Sequence, residues 1–398
     1  MPNLVSKELC CGCSACANSC PRRAITMLPD ITGFLYPIVN ENMCIHCGLC
    51  ENSCPVIESV KPKETIPHSY IAQNKNDTVR RQSTSGGMFS AIATEVIRQG
   101  GVVFGAAFAE NYVVRHTFVD TIEALAKFRN SKYVQSEIGN SYKDSEVFLK
   151  KNRLVCFSGT PCQIQGLKKF LKKEYENLIT VDVVCRAVPS PKVFQKYLDY
   201  QRKEKYNFNK IVFRDKGLGY SYSTLALFKD EECLYRGGIE FDQWYRLFFK
   251  GFCNRTSCHK CSFQTGIRIS DFTLWDCWNT QEYSRRLDDN KGTTNCIAWT
   301  DKALKLLEKI EPSLNLVEYP FEKNKKVLNR IPLAKAVYNR ELFFEDVEKM
   351  DSSDFIKKYV PNTPEIYIKK YLRLFLHITH LHNIVRKIVH CLRKFKER

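Results

Sequence analysis

The feature that most constrains this chain is a cysteine pattern written twice within its first 55 residues. The first copy is Cys10, Cys13, Cys16 and Cys20, followed by Pro21; the second is Cys44, Cys47, Cys50 and Cys54, followed by Pro55. Both read C-x2-C-x2-C-x3-C-P, offset by 34 residues. Three cysteines at this spacing can wrap three corners of an iron–sulfur cube, and the fourth ligand must arrive from farther away. Structural zinc sites use separated C-x2-C pairs, not triplets ending in proline. No secretory signal precedes the run, which argues against a disulfide framework. Cys11 falls outside the spacing that the two copies share.

This segment resembles bacterial-type two-cluster ferredoxins. In those proteins the cysteine before proline serves the other cluster. The resemblance therefore pairs Cys10, Cys13, Cys16 and Cys54 on one 4Fe-4S centre, and Cys44, Cys47, Cys50 and Cys20 on a second. Ile25 to Val39 would form the hairpin between the two halves.

With 398 residues the chain is too long for a ferredoxin alone and has room for two or three domains. Its 19 cysteines, with no signal peptide, suit a reducing, cytoplasmic setting in which many serve metal or redox chemistry. No uncharged apolar run is long enough to predict a transmembrane helix. A net charge of +18 suits nucleic acid, an anionic membrane or acidic cofactors, and alone does not choose among them. The basic residues are spread over most of the chain and no nucleic-acid motif accompanies them, so no nucleic-acid partner is expected.

After Pro55 a polar linker (residues 59–67) separates a ferredoxin domain (1–58) from a segment of α/β pattern (68–300). Strands are predicted at Ser69–Gln73, Val102–Phe108, Val113–Val119, Arg153–Phe157 and Ile179–Cys185. Helices are predicted at Met88–Gln99, Ile122–Phe128, Ser141–Lys151, Gln163–Lys173 and Val193–Lys205. Alternation of this kind predicts a mainly parallel sheet covered on both faces. From Lys210 the pattern turns to strands and irregular loops. Residues 301–366 read as a helical extension, and 367–398 as a basic amphipathic helix. The expected fold class is thus α+β followed by α/β, with a helical C-terminal tail.

Two small-residue turns, Ser83-Thr84-Ser85-Gly86-Gly87 and Ser158-Gly159-Thr160-Pro161-Cys162, each adjoin a strand and open a helix. Helix starts of this kind can bind phosphate, although Ser and Thr are also ordinary N-caps and Gly an ordinary turn residue. Cys162 and Cys185 lie at the C-terminal ends of predicted strands, where open α/β folds gather ligands. With the C-x2-C pair Cys258 and Cys261 they could hold a third cluster. The competing reading is that Cys162 and Cys185 are small buried hydrophobes.

A wider resemblance rests on motifs in order: Ser83 to Phe89, Gly101 to Ala106, Ser131 to Ser136, Phe157 to Gln163, Val181 to Cys185, Val188 to Pro191, Phe213 to Lys216, Ser257 to Cys261 and Ser270-Asp271. Over about residues 1 to 360 the chain is similar to the beta subunit of the coenzyme F-420 (deazaflavin) hydrogenase/dehydrogenase family. The resemblance implies a flavin-binding α/β body carrying FAD and a further 4Fe-4S cluster on Cys162, Cys185, Cys258 and Cys261. Ser83, Ser85, Gly86, Gly87, Lys132, Tyr133, Ser158, Gly159 and Thr160 would lie around FAD, with Lys132 acting as a positive charge rather than a base. The implied activity is that of an iron–sulfur flavoprotein oxidoreductase exchanging electrons with a redox partner protein or hydride with a deazaflavin-like molecule. A link to surface-polysaccharide synthesis is a further expectation, and an electron relay without its own substrate is the alternative. Arg186-Ala187 stands where the family commonly has His-Gly, and Trp275 where it usually has Gly before Asp276. Both changes are expected to reshape the substrate side of the flavin pocket.

Ile366 to Lys396 contains no acidic residue, eight Lys or Arg, and four of the chain's eight histidines. At 100° per residue Lys369, Arg373, His380, Lys387 and Lys394 share one stripe. Leu374, Phe375, Ile378, Leu381, Val385, Ile388 and Leu392 fall opposite. The expectation is a helix resting on an anionic membrane surface at its inner face.

Overall fold

The structure is a computed structural model that describes residues 2–379 and 381, apart from Lys205, Arg330, Ala336 and Tyr338. Its N-terminal module pairs two short helices with one hairpin: α1 (Ala15–Ser19), β1 (Ile25–Pro29), β2 (Leu35–Val39) and α2 (Leu49–Asn52). Ile25 pairs with Val39 and Pro29 with Leu35, so the hairpin falls where the doubled sequence places it.

The body begins with β3 (His68–Asn74), α3 (Asp77–Gln82), α4 (Met88–Arg98), β4 (Val102–Phe108), β5 (Val114–Val119), α5 (Ser141–Lys150), β6 (Val155–Gly159), α6 (Pro161–Leu171), β7 (Leu178–Val183) and α7 (Pro191–Lys203). A smaller antiparallel sheet follows in β8 (Lys210–Asp215), β9 (Thr224–Lys229) and β10 (Glu232–Gly237), and then α8 (Gln243–Phe249). The chain returns to the large sheet with β11 (Phe272–Asp276), β12 (Thr294–Ala298), α9 (Asp301–Ile310) and β13 (Leu314–Tyr319). It continues through α10 (Phe321–Asn329), α11 (Arg340–Lys349), α12 (Ser352–Tyr359) and α13 (Pro364–Ile378).

The large sheet has eight strands in the order β13-β3-β12-β11-β7-β6-β4-β5. Its centre, β11-β7-β6-β4, is parallel, as the βα alternation predicts. Both flanks are antiparallel, so the sheet is mixed: three neighbouring pairs run parallel and four antiparallel. β3 nevertheless points the same way as the central four, which brings five C-terminal strand ends to one edge. The inner strands read as continuous apolar runs because both their faces are covered; Val155, Cys156 and Phe157 are fully buried. One face packs α4 and α9 through Met88, Ile92, Val96 and Leu306. The other packs α5 and α6 through Tyr142, Leu149, Ile164 and Leu167, and this core also contains Cys11, Cys13 and Ala15 of the N-terminal module.

Three expectations change. Residues 301–366 are not purely helical, because β13 pairs antiparallel with β3 and closes that edge of the sheet. Its Leu-Asn-Leu-Val-Glu-Tyr run is too short to stand out between two helical patterns. α6 starts at Pro161 rather than Gln163, since Thr160 and Gln163 form a reciprocal capping box with proline in the first turn. Cys162 therefore sits on the helix, not in the turn before it. Glu123–Phe128 is a 3-10 helix.

The Ser270-Asp271 motif is structural. One Asp271 carboxylate oxygen accepts from the Thr180 amide and hydroxyl, both at 2.7 Å, and the other accepts from the Thr300 hydroxyl at 2.7 Å. This clamps the start of β11 to β7 inside the sheet. Asp271→Ala orphans three donors, and chemical denaturation is expected to show a loss on the order of 3 kcal/mol. Thr300→Val removes one bond only and should cost about 1 kcal/mol.

Candidate redox site

In the N-terminal module, α1 and α2 each start from a residue in the left-handed region, Ser14 at φ 62° and Gly48 at φ 70°. That turn lets each cysteine triplet curl around a common centre. Two cavities result. Cys10, Cys13, Cys16 and Cys54 line one, with Leu4, Val5 and Met27 as apolar walls. Cys20, Cys44, Cys47 and Cys50 line the other. The cysteine before each proline thus joins the triplet of the other copy. The first cavity is shielded by the body; the second lies toward solvent, where Cys47 is exposed.

The titration of these thiols exposes the physical problem the site poses. Burial pushes the Cys16 thiol up to about 12, reinforced by Cys10 and Cys54 beside it. Cys13 is raised as well: its hydrogen bond with Cys11 lowers it, but burial together with the neighbouring Cys16 and Cys10 outweighs that effect. Thiols so crowded stay protonated unless positive charge enters among them, and cluster iron supplies that. A cube of four irons also holds its thiolates apart by its own width, whereas a single ion draws its ligands together. Among the described residues no group of three or more His, Cys, Asp or Glu is gathered for a single ion.

Cys162, in the first turn of α6, and Cys185, two residues beyond β7, meet the short 3-10 turn Thr256–Lys260 that presents Cys258 and precedes Cys261. The four lie within range of one another's charge. Burial first, then Cys258, Cys162 and Cys261, hold the Cys185 thiol well above its ordinary range. Cys258 is pushed up to about 12 by burial, with Cys162 and Cys261 adding to it. Cys162 is raised chiefly through its hydrogen bond with Cys11, then by burial. Cys11, the residue outside the doubled pattern, therefore stands between this group and Cys13. The approach is close because α6 has no side chain there: a Cβ on Gly166 would lie 2.9 Å from the Cys13 sulfur.

The residues read as a flavin site fall in two places on the C-terminal edge of the sheet. Ser83, Ser85, Gly86 and Gly87 lie beyond β3, and Lys132 and Tyr133 are tied to them, since Thr84 accepts from the Ser131 amide at 2.7 Å. Ser158, Gly159 and Thr160 end β6, four strand positions away, about 19 Å at roughly 4.8 Å per strand. Much of the polar capacity of both turns is used internally. Ser83 donates to the Val79 carbonyl, and the Gly86 amide donates to Thr294. Gly86 is glycine for packing, since a Cβ would meet the Ala72 carbonyl at 2.2 Å. Ser158 donates to the Phe104 carbonyl, and Thr160 is engaged in the α6 cap.

Around the first turn sits a group of cations. Lys216 donates to the carbonyls of Arg80 at 2.8 Å and Ser85 at 2.5 Å. Burial brings Lys132 and Lys216 down to about 7. Lys132 is thus poised to hold or lose its proton near neutrality, rather than being a fixed charge. The Arg129 Nε is buried with no hydrogen-bond partner. Arg214 and Asp276, at the ends of β8 and β11, form a bidentate pair at 3.0 and 3.2 Å. Tyr220 donates to Asp276 at 2.8 Å, and Arg214 lies 4.7 Å from the centre of the Trp278 ring. Sequence reasoning assigned no role to Arg129, Lys216, Arg214 or Tyr220; lysine or arginine inside an apolar strand run was the available signal. Of the two departures, Trp275 packs away from this group with Ile297, Trp299 and Leu328. Arg186 lies over Phe249.

Residues 152–323 match the family described as the C terminus of the coenzyme F420 hydrogenase/dehydrogenase beta subunit. The match spans less than half of the chain, and over it the chain is similar to that beta-subunit family. Residues 9–57 match the 4Fe-4S dicluster domain. The chain thus joins an iron–sulfur electron-transfer segment to a segment similar to a subunit of redox oxidoreductases. Among solved structures, a chain from the xenon-derivatised F420-reducing [NiFe] hydrogenase complex of Methanosarcina barkeri aligns with 12% identity. The alignment covers 75% of this chain and 93% of that one, with a TM-score of 0.45. The similarity to the family rests on the sequence matches and takes nothing from this likeness. No curated protein matches the chain.

Cys54→Ser and Cys20→Ser test the exchanged fourth ligands. Each variant is expected to perturb the electron paramagnetic resonance signal that replacement of the other copy's triplet perturbs. If Cys54→Ser instead behaves like Cys50→Ser, the two cavities do not correspond to the two centres.

Proposed function

We propose that this beta-subunit relative carries three 4Fe-4S centres and FAD, and passes electrons between a redox partner protein and a deazaflavin-like organic acceptor. The observation that carries this reading is the succession of cysteine groups. The Cys44 group lies toward solvent, the Cys10 group lies beneath it, and Cys11 leads to the Cys162 group at the sheet edge. Such a series suits one-electron transfer inward from a docked protein or outward to it. FAD, when bound, supplies the junction between one-electron and two-electron chemistry. Arg129, Lys132 and Lys216 would hold its phosphates, since an unpartnered buried guanidinium nitrogen and two desolvated lysines together call for an anion. Arg214, held by Asp276, would present a fixed positive charge to whatever lies at the end of β11. Tyr220 and Trp278, stacked at 4.9 Å, would wall the site. A role in surface-polysaccharide synthesis is the wider setting that we infer for it.

Anaerobic purification is expected to yield bound FAD with about 12 iron per chain. Reduced deazaflavin should then bleach the flavin within seconds. Iron without flavin would leave the electron-relay reading instead, and a flavin unmoved by deazaflavin would shift the acceptor to another molecule. The pH dependence has a definite sign. A bound diphosphate favours the charged form of Lys132 and Lys216, so binding takes up protons. Flavin affinity, measured by fluorescence on flavin-stripped protein, should fall as pH rises from 6 to 8, by about tenfold per pH unit for each lysine that must regain its proton above pH 7.

We infer further that α13 faces an anionic membrane surface. Arg373, on the cationic stripe, faces the body: it bonds Glu240 and lies 4.8 Å from the Tyr222 ring centre. Lys370 sits 3.9 Å over Phe241, and His377 stacks on Tyr222 at 5.2 Å. The apolar face is the one left outward, with Ile368 65%, Phe375 57% and Ile378 65% exposed. The remainder of the stripe, beyond Leu381, lies outside the described residues. No helix among the described residues is long and apolar enough to cross a membrane. An outward apolar face continued by an acid-free, basic sequence matches an anionic lipid surface, where each cation adds on the order of 1 kcal/mol. Full-length protein is expected to co-sediment with anionic vesicles, and Phe375→Glu with Ile378→Glu should abolish this without changing iron content. Equal sedimentation of both, or a change in oligomeric state instead, would overturn the assignment.

A further inference from the structure

Arg255 reaches from the body into the N-terminal module. Its own amide donates to the Val188 carbonyl at 3.0 Å, which anchors its backbone beside the third cysteine group. Its side chain crosses to the other side. Nε donates to the Cys10 carbonyl at 2.7 Å, Nη1 to Gln135 at 2.8 Å, and Nη2 to the Leu35 carbonyl at 3.0 Å. Nη2 also approaches the Cys10 sulfur at 3.7 Å. Phe34 and Tyr36 lie against it, with ring centres at 5.2 and 4.3 Å. The residue is 0% exposed.

A guanidinium cannot lose its charge at neutral pH, and a fully buried charge needs a counter-charge. Among the described residues no carboxylate forms an ion pair with Arg255. Its partners are neutral carbonyls, two rings and one cysteine sulfur. The anion that this charge lacks is therefore a thiolate group. The group within contact is that of Cys10. Tight enclosure holds Arg255 there: a Cβ on Gly12 would lie 2.7 Å from Nη1.

We propose that Arg255 is the counter-charge of the Cys10 centre, and that it raises the reduction potential of that centre. The proposal rests on the three-centre reading above. A positive charge stabilises the more negative, reduced form of a neighbouring cluster, so removing it disfavours reduction. The Cys44 group, which Arg255 does not touch, supplies an internal reference.

The test is a redox titration of the purified full chain followed by electron paramagnetic resonance. The Cys10 centre is identified as the signal lost in Cys54→Ser. Wild-type iron content is measured first; a chain without clusters fails the three-centre reading itself, and this proposal with it. In Arg255→Gln the Cys10 centre is expected to become at least tenfold harder to reduce, a fall of 59 mV for a one-electron couple. Arg255→Lys should keep most of the wild-type potential, and the Cys44 centre should not move in either. Full iron content with an unmoved Cys10 potential in Arg255→Gln would overturn the proposal and leave Arg255 as a structural pin. Should Arg255→Gln fail to fold, wild-type protein labelled with 15N-arginine decides. A nitrogen hyperfine coupling to the reduced Cys10 centre is expected, and its absence would overturn the proposal.

Discussion

Thiolates repel one another, and this chain draws the eight cysteines of its doubled motif around two cavities, with four dispersed cysteines half-buried within reach of one another's charge. In the absence of positive charge that arrangement is unfavourable: burial and mutual proximity hold Cys16, Cys185 and Cys258 as neutral thiols. The fold therefore depends on what enters those cavities. Metal binding in such a case is folding free energy, because thiols that would stay protonated become ligands as the cluster forms. The same constraint explains the packing. Gly12, Gly33 and Gly166 occupy positions where a side chain would push the module off the body. Close approach there keeps one cysteine group within reach of the next.

The body answers this concentration of sulfur with a sheet edge. Five strands ending on one side give Cys162, Cys185, Asp276 and the Ser83–Gly87 turn a common border. Parallel strands make this possible, since their helical crossovers return the chain repeatedly to the same end. Asp271, with its three donors, ties β11 to β7 at the opposite end and fixes the register of the strands that carry Cys185 and Asp276. Cluster-facing and cation-lined regions thus occupy neighbouring stretches of one edge, which is the geometry that electron transfer over short distances demands.

How much of this was legible in the sequence follows from the kind of signal each part carries. The doubled cysteine motif could be read because ligand spacing is local; the exchange of fourth ligands came from the resemblance to two-cluster ferredoxins, and the two cavities are lined in that way. Strands at Val102–Phe108 and around Val155 could be read because burial on both faces leaves unbroken apolar runs. β13 could not, since an edge strand six residues long carries little periodicity of its own. Arg255 was invisible for a different reason. An isolated arginine in an irregular, cysteine-rich stretch looks like any surface residue, and only tertiary packing shows it to be enclosed. For α13 periodicity finds two faces, and the contacts of Lys370, Arg373 and His377 show which one the body takes.

The net charge of +18 gains a physical account from these parts taken together. Three cubanes with four thiolates each and one flavin diphosphate would bring roughly eight negative charges. Arg129, Lys132, Lys216 and Arg255 are cations that lie inside the protein toward those groups, rather than in mixed-sign surface pairs. About ten positive charges are then left over, and eight Lys or Arg fall within the acid-free stretch from Ile366 to Lys396. An excess confined to one terminal segment acts locally, because beyond a Debye length of about 8 Å it is screened from the rest of the molecule. On the proposed reading the basic balance of the chain divides in two: one part would be counter-charge for its cofactors, and the other a surface for an anionic partner.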